Sequence, residues 1–217
     1  MTEKSRPVTE AHFRYVQEHT QPEGPLLRDL RREAAEAGIP TIAIAPEQGS
    51  LMQILLRLVG AREVVEVGTL YGLASIWMAR GLPQGGRVRT IEIDDAHADF
   101  AERWIARSDV ADRIEIVRGA GRDILPTLED DSVDAVFLDA DRESYGIYLP
   151  ECLRIIRPGG LLMVDNAFAG GRVLDAECDH PSGQAMRTFN DMVAREPRLR
   201  GVIVPIGDGL WVITVLG

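Results

Sequence analysis

Residues 63–72 read Glu-Val-Val-Glu-Val-Gly-Thr-Leu-Tyr-Gly, a β-branched run that ends in a glycine-bearing turn. A segment with helical spacing follows at 72–80, so this stretch predicts a strand, a tight turn and a helix. The same unit recurs along the chain, with further strands predicted at 87–93, 113–117, 133–140 and 161–164 and further helices at 96–107, 123–128, 145–156 and 182–195. This alternation predicts an α/β fold, a doubly wound and mostly parallel sheet with right-handed crossovers.

The two ends of the chain depart from this alternation. Residues 202–206 and 210–216 flank a short Gly-Asp-Gly turn without a crossover helix, which predicts an antiparallel hairpin at the end of the sheet. Residues 9–19 and 25–37 read as two helices, and a third helix presents an apolar stripe of Leu51, Ile54, Leu55 and Leu58. We therefore predict one domain over 1–217, with an N-terminal helical appendage at 1–40 and a binding core at 41–217.

Composition restricts the classes of partner. The chain has 217 residues, 45% of them hydrophobic, and a formal charge of −10. A negative field of this size opposes binding to nucleic acids and to anionic membranes, so a small-molecule partner is expected. Neither a secretory signal nor an apolar run of about 20 residues is present, and Cys152 and Cys178 lack metal-binding or redox spacing, which favours the cytoplasm.

Small and acidic residues follow the first three predicted strands. Gly68 opens the first turn, but Leu70 occupies the place of the second glycine in the dinucleotide fingerprint, which disfavours NAD. Glu92 and Ile93 end the second strand, where a carboxylate can accept two hydrogen bonds from a ribose diol. The small residues around Ala120 leave room for a flat base. Each signal alone is also typical of an ordinary turn, but together they suit S-adenosylmethionine.

Oxygen-bearing side chains follow the fourth and fifth strands. Asp139 comes after the fourth, and Asp165 and Asn166 come after the fifth. Carboxylate and amide oxygens are hard ligands that suit Mg²⁺ better than Zn²⁺. Helix capping is the alternative for each cluster taken singly, but parallel strands bring their carboxyl ends to one edge of the sheet, where ligands bind.

Several segments together resemble one enzyme family. They are Glu66-Val67-Gly68-Thr69, Phe137-Leu138-Asp139-Ala140-Asp141 with Tyr145, Arg157-Pro158-Gly159-Gly160, and Asp165-Asn166 followed by Gly170-Gly171-Arg172-Val173. The chain resembles the divalent-metal-dependent small-molecule O-methyltransferases, which include the catechol and caffeoyl-coenzyme A O-methyltransferases, over nearly its whole length. The resemblance implies a Rossmann-like methyltransferase sheet and a homodimer.

The resemblance also implies roles for individual residues. The metal ligands would be Asp139, Asp165 and Asn166. The cofactor would be held by Ile44, Glu66, Gly68, Thr69, Gly72, Ala74, Ser75, Glu92, Ile93, Ala120 and Asp139. Within this set, Ala74 aligns with a serine that contacts the cofactor carboxylate in relatives, and Ser75 follows one place later.

Arg142 occupies the position of the family's lysine base. The only lysine of the chain is Lys4. A guanidinium is not a general base near neutral pH, so the metal would acidify the acceptor hydroxyl and Arg142 would stabilise the resulting anion. His180 is the one histidine expected near the substrate, where a solvated loop position is the alternative to a catalytic one.

Taken together, the residues predict an O-methyltransferase that uses S-adenosylmethionine and Mg²⁺ on a small catechol-like or other chelating acceptor. Because of Arg142, a catalytically impaired cofactor-binding module is the alternative. The acidic charge and the lack of a basic stripe oppose an RNA methyltransferase. Whether the N-terminal helices cover the site or form a dimer contact stays open.

Overall fold

A single seven-stranded sheet organises the protein, which we describe over residues 8–217 from a computed structural model. The strands are β1 (Glu63–Val67), β2 (Arg87–Glu92), β3 (Ile114–Arg118), β4 (Val133–Leu138), β5 (Ile156–Val164), β6 (Leu199–Val204) and β7 (Leu210–Val215). Their order is β3-β2-β1-β4-β5-β7-β6. The first five are parallel, and β7 pairs antiparallel with both β5 and β6. The predicted doubly wound α/β sheet with a C-terminal antiparallel hairpin is confirmed.

Helices cover both faces of this sheet. They are α1 (Glu10–His19), α2 (Pro25–Glu36), α3 (Pro46–Leu58), α4 (Leu73–Gly81), α5 (Asp95–Ile105), α6 (Gly121–Ile124), α7 (Tyr145–Ile155) and α8 (Pro181–Arg195). On one face α2 to α5 bury a cluster that includes Leu30, Met52 and Trp104, and on the other α7 and α8 bury one that includes Tyr145 and Phe189. The first seven residues of the predicted N-terminal appendage lie outside the described range. Among the described residues, no helix is both long and apolar enough to cross a bilayer.

The predicted apolar stripe of α3 was only partly right, because Leu51 and Leu55 pack against the core but Ile54 and Leu58 do not. Ile54 and Leu58 are 54% and 78% exposed, whereas Met52 and Leu56 are fully buried. The buried positions are four residues apart, so they lie on one face of the helix, and that face packs against α4. Apolar spacing allowed either stripe, and contact with α4 selects the one at Met52.

Some predicted boundaries were also wrong. β2 ends at Glu92, and Ile93 is 71% exposed beyond it. β4 ends at Leu138 rather than at residue 140, because Val164 is the last residue of β5 that pairs with it. The helix predicted at 123–128 is instead α6 followed by a 3₁₀ turn at Leu125–Thr127, because Pro126 has no N–H to continue an α-helix.

Candidate active site

A cavity of about 590 Å³ opens at the carboxyl ends of the parallel strands. Seven of the sequence-predicted site residues line it: Gly68, Glu92, Ile93, Ala120, Asp139, Arg142 and Asn166. Glu92 is the last residue of β2, and the others come from the segments that follow β1, β2, β3, β4 and β5. The sheet therefore brings together residues that are up to 98 positions apart in the sequence, as a doubly wound topology requires.

The other predicted site residues do not line the cavity. Ile44, Glu66, Thr69, Gly72, Ala74, Ser75 and Asp165 are all buried. Thr69 directs its hydroxyl oxygen to that of Thr90, 2.5 Å away, and the Ser75 hydroxyl donates to the Glu66 carboxylate. The side chains of Thr69, Ser75 and Glu66 thus stabilise the loop after β1.

Gly68 has a structural reason to be glycine. Its φ is +100°, and a Cβ at this position would collide with the backbone carbonyl of Asp139. The glycine therefore allows the end of β1 to pass close to the backbone at the end of β4.

Glu92 holds the same loop from the neighbouring strand. One carboxylate oxygen accepts hydrogen bonds from the backbone N–H groups of Leu70 (2.8 Å) and Thr69 (3.1 Å), and the other accepts one from Asp94 (2.9 Å). Leu70 has a φ of +53°, which is unfavourable for a leucine. Glu92 thus fixes an unfavourable turn at the cavity wall, a function additional to the predicted ribose contact.

Glu66 is a fully buried carboxyl group beside this loop. Burial raises its pKa to about 7, opposed by hydrogen bonds from Ser75 and Thr90 and assisted by the negative charge of Glu92. Among residues 8–217 its Oε1 has no hydrogen-bond partner. A cationic group placed against it would favour the ionised form.

Asp139, Asn166 and Arg142 form a hydrogen-bonded chain. Asn166 Nδ2 donates to Asp139 Oδ1 (3.0 Å), and Arg142 Nη2 donates to Asn166 Oδ1 (2.8 Å). Burial, with repulsion from Asp165 and Glu66, raises the pKa of Asp139 well above its usual range. Burial also raises the pKa of Asp165 to about 6.

The chemistry of these side chains fits a divalent cation. Two carboxylates that repel each other, with Asp165 buried and Asp139 at the cavity wall, gain most from a shared positive ion, and the Asn166 amide adds a third oxygen. No group of three His, Cys, Asp or Glu suited to a metal occurs within the described part of the chain. Asn166 is therefore a necessary member of such a site. For the ion to reach the Asn166 Oδ1, Arg142 must give up its hydrogen bond to that oxygen.

A profile of the O-methyltransferase family matches residues 17–215. The chain belongs to the O-methyltransferase family. It is 39% identical over 173 residues to a catechol O-methyltransferase of Niastella koreensis, covering 78% of each chain.

Two solved structures of O-methyltransferases are similar in fold. The Bacillus cereus enzyme in complex with S-adenosylhomocysteine has a TM-score of 0.86 and 33% identity, and the match covers 94% of this chain and 97% of that one. TomG of Streptomyces achromogenes, which is involved in tomaymycin synthesis and was solved with S-adenosylmethionine, has a TM-score of 0.86 and 32% identity, covering 95% and 96%. The predicted family, and the prediction of an S-adenosylmethionine-dependent O-methyltransferase, are confirmed.

Sequence reasoning about this methyltransferase missed Gln48. Its Nε2 donates to Asp165 Oδ1 (2.7 Å), and its Oε1 accepts from the Ala45 N–H (2.9 Å). A Cβ on Gly207, in the C-terminal hairpin turn, would collide with the Gln48 amide. The α3 helix thus orients a predicted metal ligand from its first turn, and no local spacing in the sequence links Gln48 to Asp165.

A second missed feature links the N-terminal helices of the methyltransferase to its site. Arg31 of α2 donates two hydrogen bonds of 2.6 and 2.8 Å to Glu23 Oε1 and another to the backbone carbonyl of Ile44. Ile42, two residues before Ile44, lines the cavity. The α2 helix therefore fixes the segment that covers one side of the site.

Proposed function

We propose that this methyltransferase transfers the methyl group of S-adenosylmethionine to a hydroxyl of a small catechol-like or otherwise chelating acceptor, with the assistance of a divalent cation such as Mg²⁺. One observation carries the proposal. Glu92 and Ala120, which suit a nucleoside, line the same cavity as Asp139 and Asn166, which suit a hard cation. The name of the Niastella koreensis relative supports a catechol-like acceptor.

The cofactor would occupy the part of the cavity formed after β1, β2 and β3. Glu92 and Ile93 would contact the ribose, and Ala120 would lie against the adenine. The methionine moiety would lie over the turn formed by Gly68, Thr69 and Gly72, with the Glu66 carboxylate beneath it and Ile44, Ala74 and Ser75 nearby. The complexes of the Bacillus cereus and Streptomyces achromogenes enzymes support the binding of such a cofactor by this fold.

The cation would be held by Asp139, Asp165 and Asn166. When bound, it would act as a Lewis acid that increases the acidity of the acceptor hydroxyl. Gln48 keeps one Asp165 oxygen engaged and so fixes the direction of the other.

Arg142 would stabilise the acceptor oxyanion rather than remove its proton. Its guanidinium lines the cavity, and within residues 8–217 its Nε has no hydrogen-bond partner. The oxyanion would attack the methyl carbon in line with the departing sulfur, leaving S-adenosylhomocysteine. Holding both reactants in this orientation can lower the barrier by about 7–11 kcal/mol.

The functional form would be a cytoplasmic homodimer. Both cysteines are free thiols, as expected in a reducing compartment. Ile54 and Leu58 leave apolar surface exposed on α3, which a second copy could cover.

Methyl transfer to catechol, followed by mass spectrometry with Mg²⁺ or with excess chelator, tests the proposal. The wild type should form methylcatechol only with Mg²⁺, and Asp165→Asn should lose at least about a hundredfold in rate because a charged ligand of the cation is removed. Asp109→Asn is the matched control, since Asp109 pairs with Arg80 and does not line the cavity. Full turnover in excess chelator would contradict a metal-assisted reaction.

A further inference from the structure

Two arginine side chains lie at the end of the cavity where the acceptor of the proposed function would bind. Arg142 and Arg172 both line it. Within residues 8–217 neither forms an ion pair, and each donates only to a neutral oxygen, that of the Asn166 amide or that of the Ala169 carbonyl (3.0 Å). Arg172 thus has no charged partner among residues 8–217, whereas the positive charge of Arg142 also acts on Asp139 and Asp165, where it opposes the rise in their pKa values.

None of the acidic residues that line the cavity forms an ion pair with Arg142 or Arg172. Asp139 lies at the proposed cation site, and Glu92 is bound to three backbone N–H groups. Asp141 accepts a hydrogen bond from the Tyr148 hydroxyl (3.2 Å). Glu143 is the remaining acid among the lining residues, and it is exposed to solvent. The two guanidinium groups therefore share this end of the cavity with two solvent-exposed carboxylates, those of Asp141 and Glu143.

His180 adds a hydrogen-bond donor to the same end. It caps α8, and its Nδ1 accepts from the Ser182 N–H (3.2 Å). An Nδ1 that accepts a hydrogen bond carries no proton, so in the neutral ring the proton is on Nε2. His180 lines the cavity and can donate to an anion there, but in this state it is not available as a general base.

The loop that carries Arg172 and His180 is held by one side chain. Arg187 of α8 donates to the carbonyls of Arg172 (3.0 Å), Asp175 (2.7 Å) and Cys178 (2.7 Å). A Cβ on Gly183 would come within 2.9 Å of the Arg172 Cβ, so the loop also packs closely on α8. These contacts fix the backbone position of Arg172.

From this arrangement we infer that the acceptor carries a carboxylate in addition to its hydroxyls, and that Arg172 binds it, assisted by His180. Arg187 is a positioning residue for this contact. The inference rests on the proposed function. A guanidinium matches a carboxylate in geometry as well as in charge, so the contact selects acidic acceptors over neutral ones of the same shape.

The test compares 3,4-dihydroxyphenylacetate with its methyl ester. The methylene group insulates the catechol ring, so the two hydroxyl acidities are closely matched. The wild type should have the higher kcat/KM for the acid, mainly through KM, and Arg172→Gln should lower the acid-to-ester ratio about tenfold, as expected for a charge-assisted hydrogen bond. The preference should fall with added salt.

Two further variants distinguish direct binding of the carboxylate by Arg172 from the positioning of Arg172 by Arg187. Arg187→Lys keeps the charge but cannot reach three carbonyls at once, so it should also lower the ratio and speed amide exchange in residues 172–178. Arg195→Gln, at the other end of α8 and paired with Asp191, should leave the ratio unchanged. If both compounds are methylated with an acid-to-ester ratio of kcat/KM near one, or if Arg172→Gln does not change that ratio, the carboxylate inference is overturned and the proposed function stands. Methylation of neither, with S-adenosylhomocysteine still bound, would overturn the proposed function and this inference with it.

Discussion

At the scale of single residues, Glu66 couples the stability of the protein to pH. Its pKa of about 7 when folded lies above the usual glutamate value near 4.5 that it takes when unfolded. Below pH 4.5 the carboxyl is neutral in both states, and as the pH rises towards 7 only the unfolded state releases its proton. The free energy of unfolding should therefore fall across this window, by up to roughly 3 kcal/mol from this group.

Glu66→Gln isolates that contribution. The variant cannot ionise, so it should gain stability relative to the wild type as the pH rises from 5 to 8, which urea unfolding at a series of pH values measures. Glu63→Gln, at the exposed start of the same strand, is the matched control and should not show this gain. Parallel pH curves for wild type and Glu66→Gln would mean that Glu66 is ionised in the folded protein throughout.

The arginine at position 142 leads to a separate prediction about how the rate depends on the acceptor. Because no lysine can serve as a base, the rate of methyl transfer should depend steeply on acceptor acidity, and electron-poor catechols should react faster than electron-rich ones at neutral pH. Arg142→Lys should narrow that difference by supplying a side chain whose pKa can be lowered. Arg157→Lys is the control, since Arg157 lies at the amino end of β5, pairs with Asp134 and does not line the cavity. Equal wild-type rates for catechols of graded acidity, with chemistry rate-limiting, would point to another base.

At the scale of elements, the sequence predicted the type of each strand and long helix because apolar spacing and turn residues are local signals. Strand ends were less predictable, since β4 stops where its pairing with β5 stops, and that pairing is a long-range contact. The buried face of α3 depended on contact with α4 in the same way. The residues at the strand ends could be predicted from the order of strands and helices along the chain. Half of the predicted site residues line the cavity.

The supporting contacts of the site could not be predicted in this way. Gln48 reaches Asp165 across 117 positions of sequence, and Arg31 reaches the Ile44 carbonyl from a separate helix. No spacing pattern in the local sequence marks Gln48 or Arg31 as such a contact. Such contacts become visible only once α2 and α3 are packed on the sheet.

At the scale of the whole molecule, we propose that one cavity binds a nucleoside at one end and a chelated acceptor at the other. A crystal structure with S-adenosylhomocysteine, Mg²⁺ and a nitrocatechol, which cannot be methylated because S-adenosylhomocysteine has no methyl group to transfer, tests this most directly. We predict the ribose on Glu92, the adenine beside Ala120, and the ion on Asp139, Asp165 and Asn166, with Arg142 moved from the Asn166 amide to an acceptor oxygen. A nucleoside bound elsewhere, or saturating Mg²⁺ that leaves the two aspartates without an ion and Arg142 on Asn166, would contradict the account.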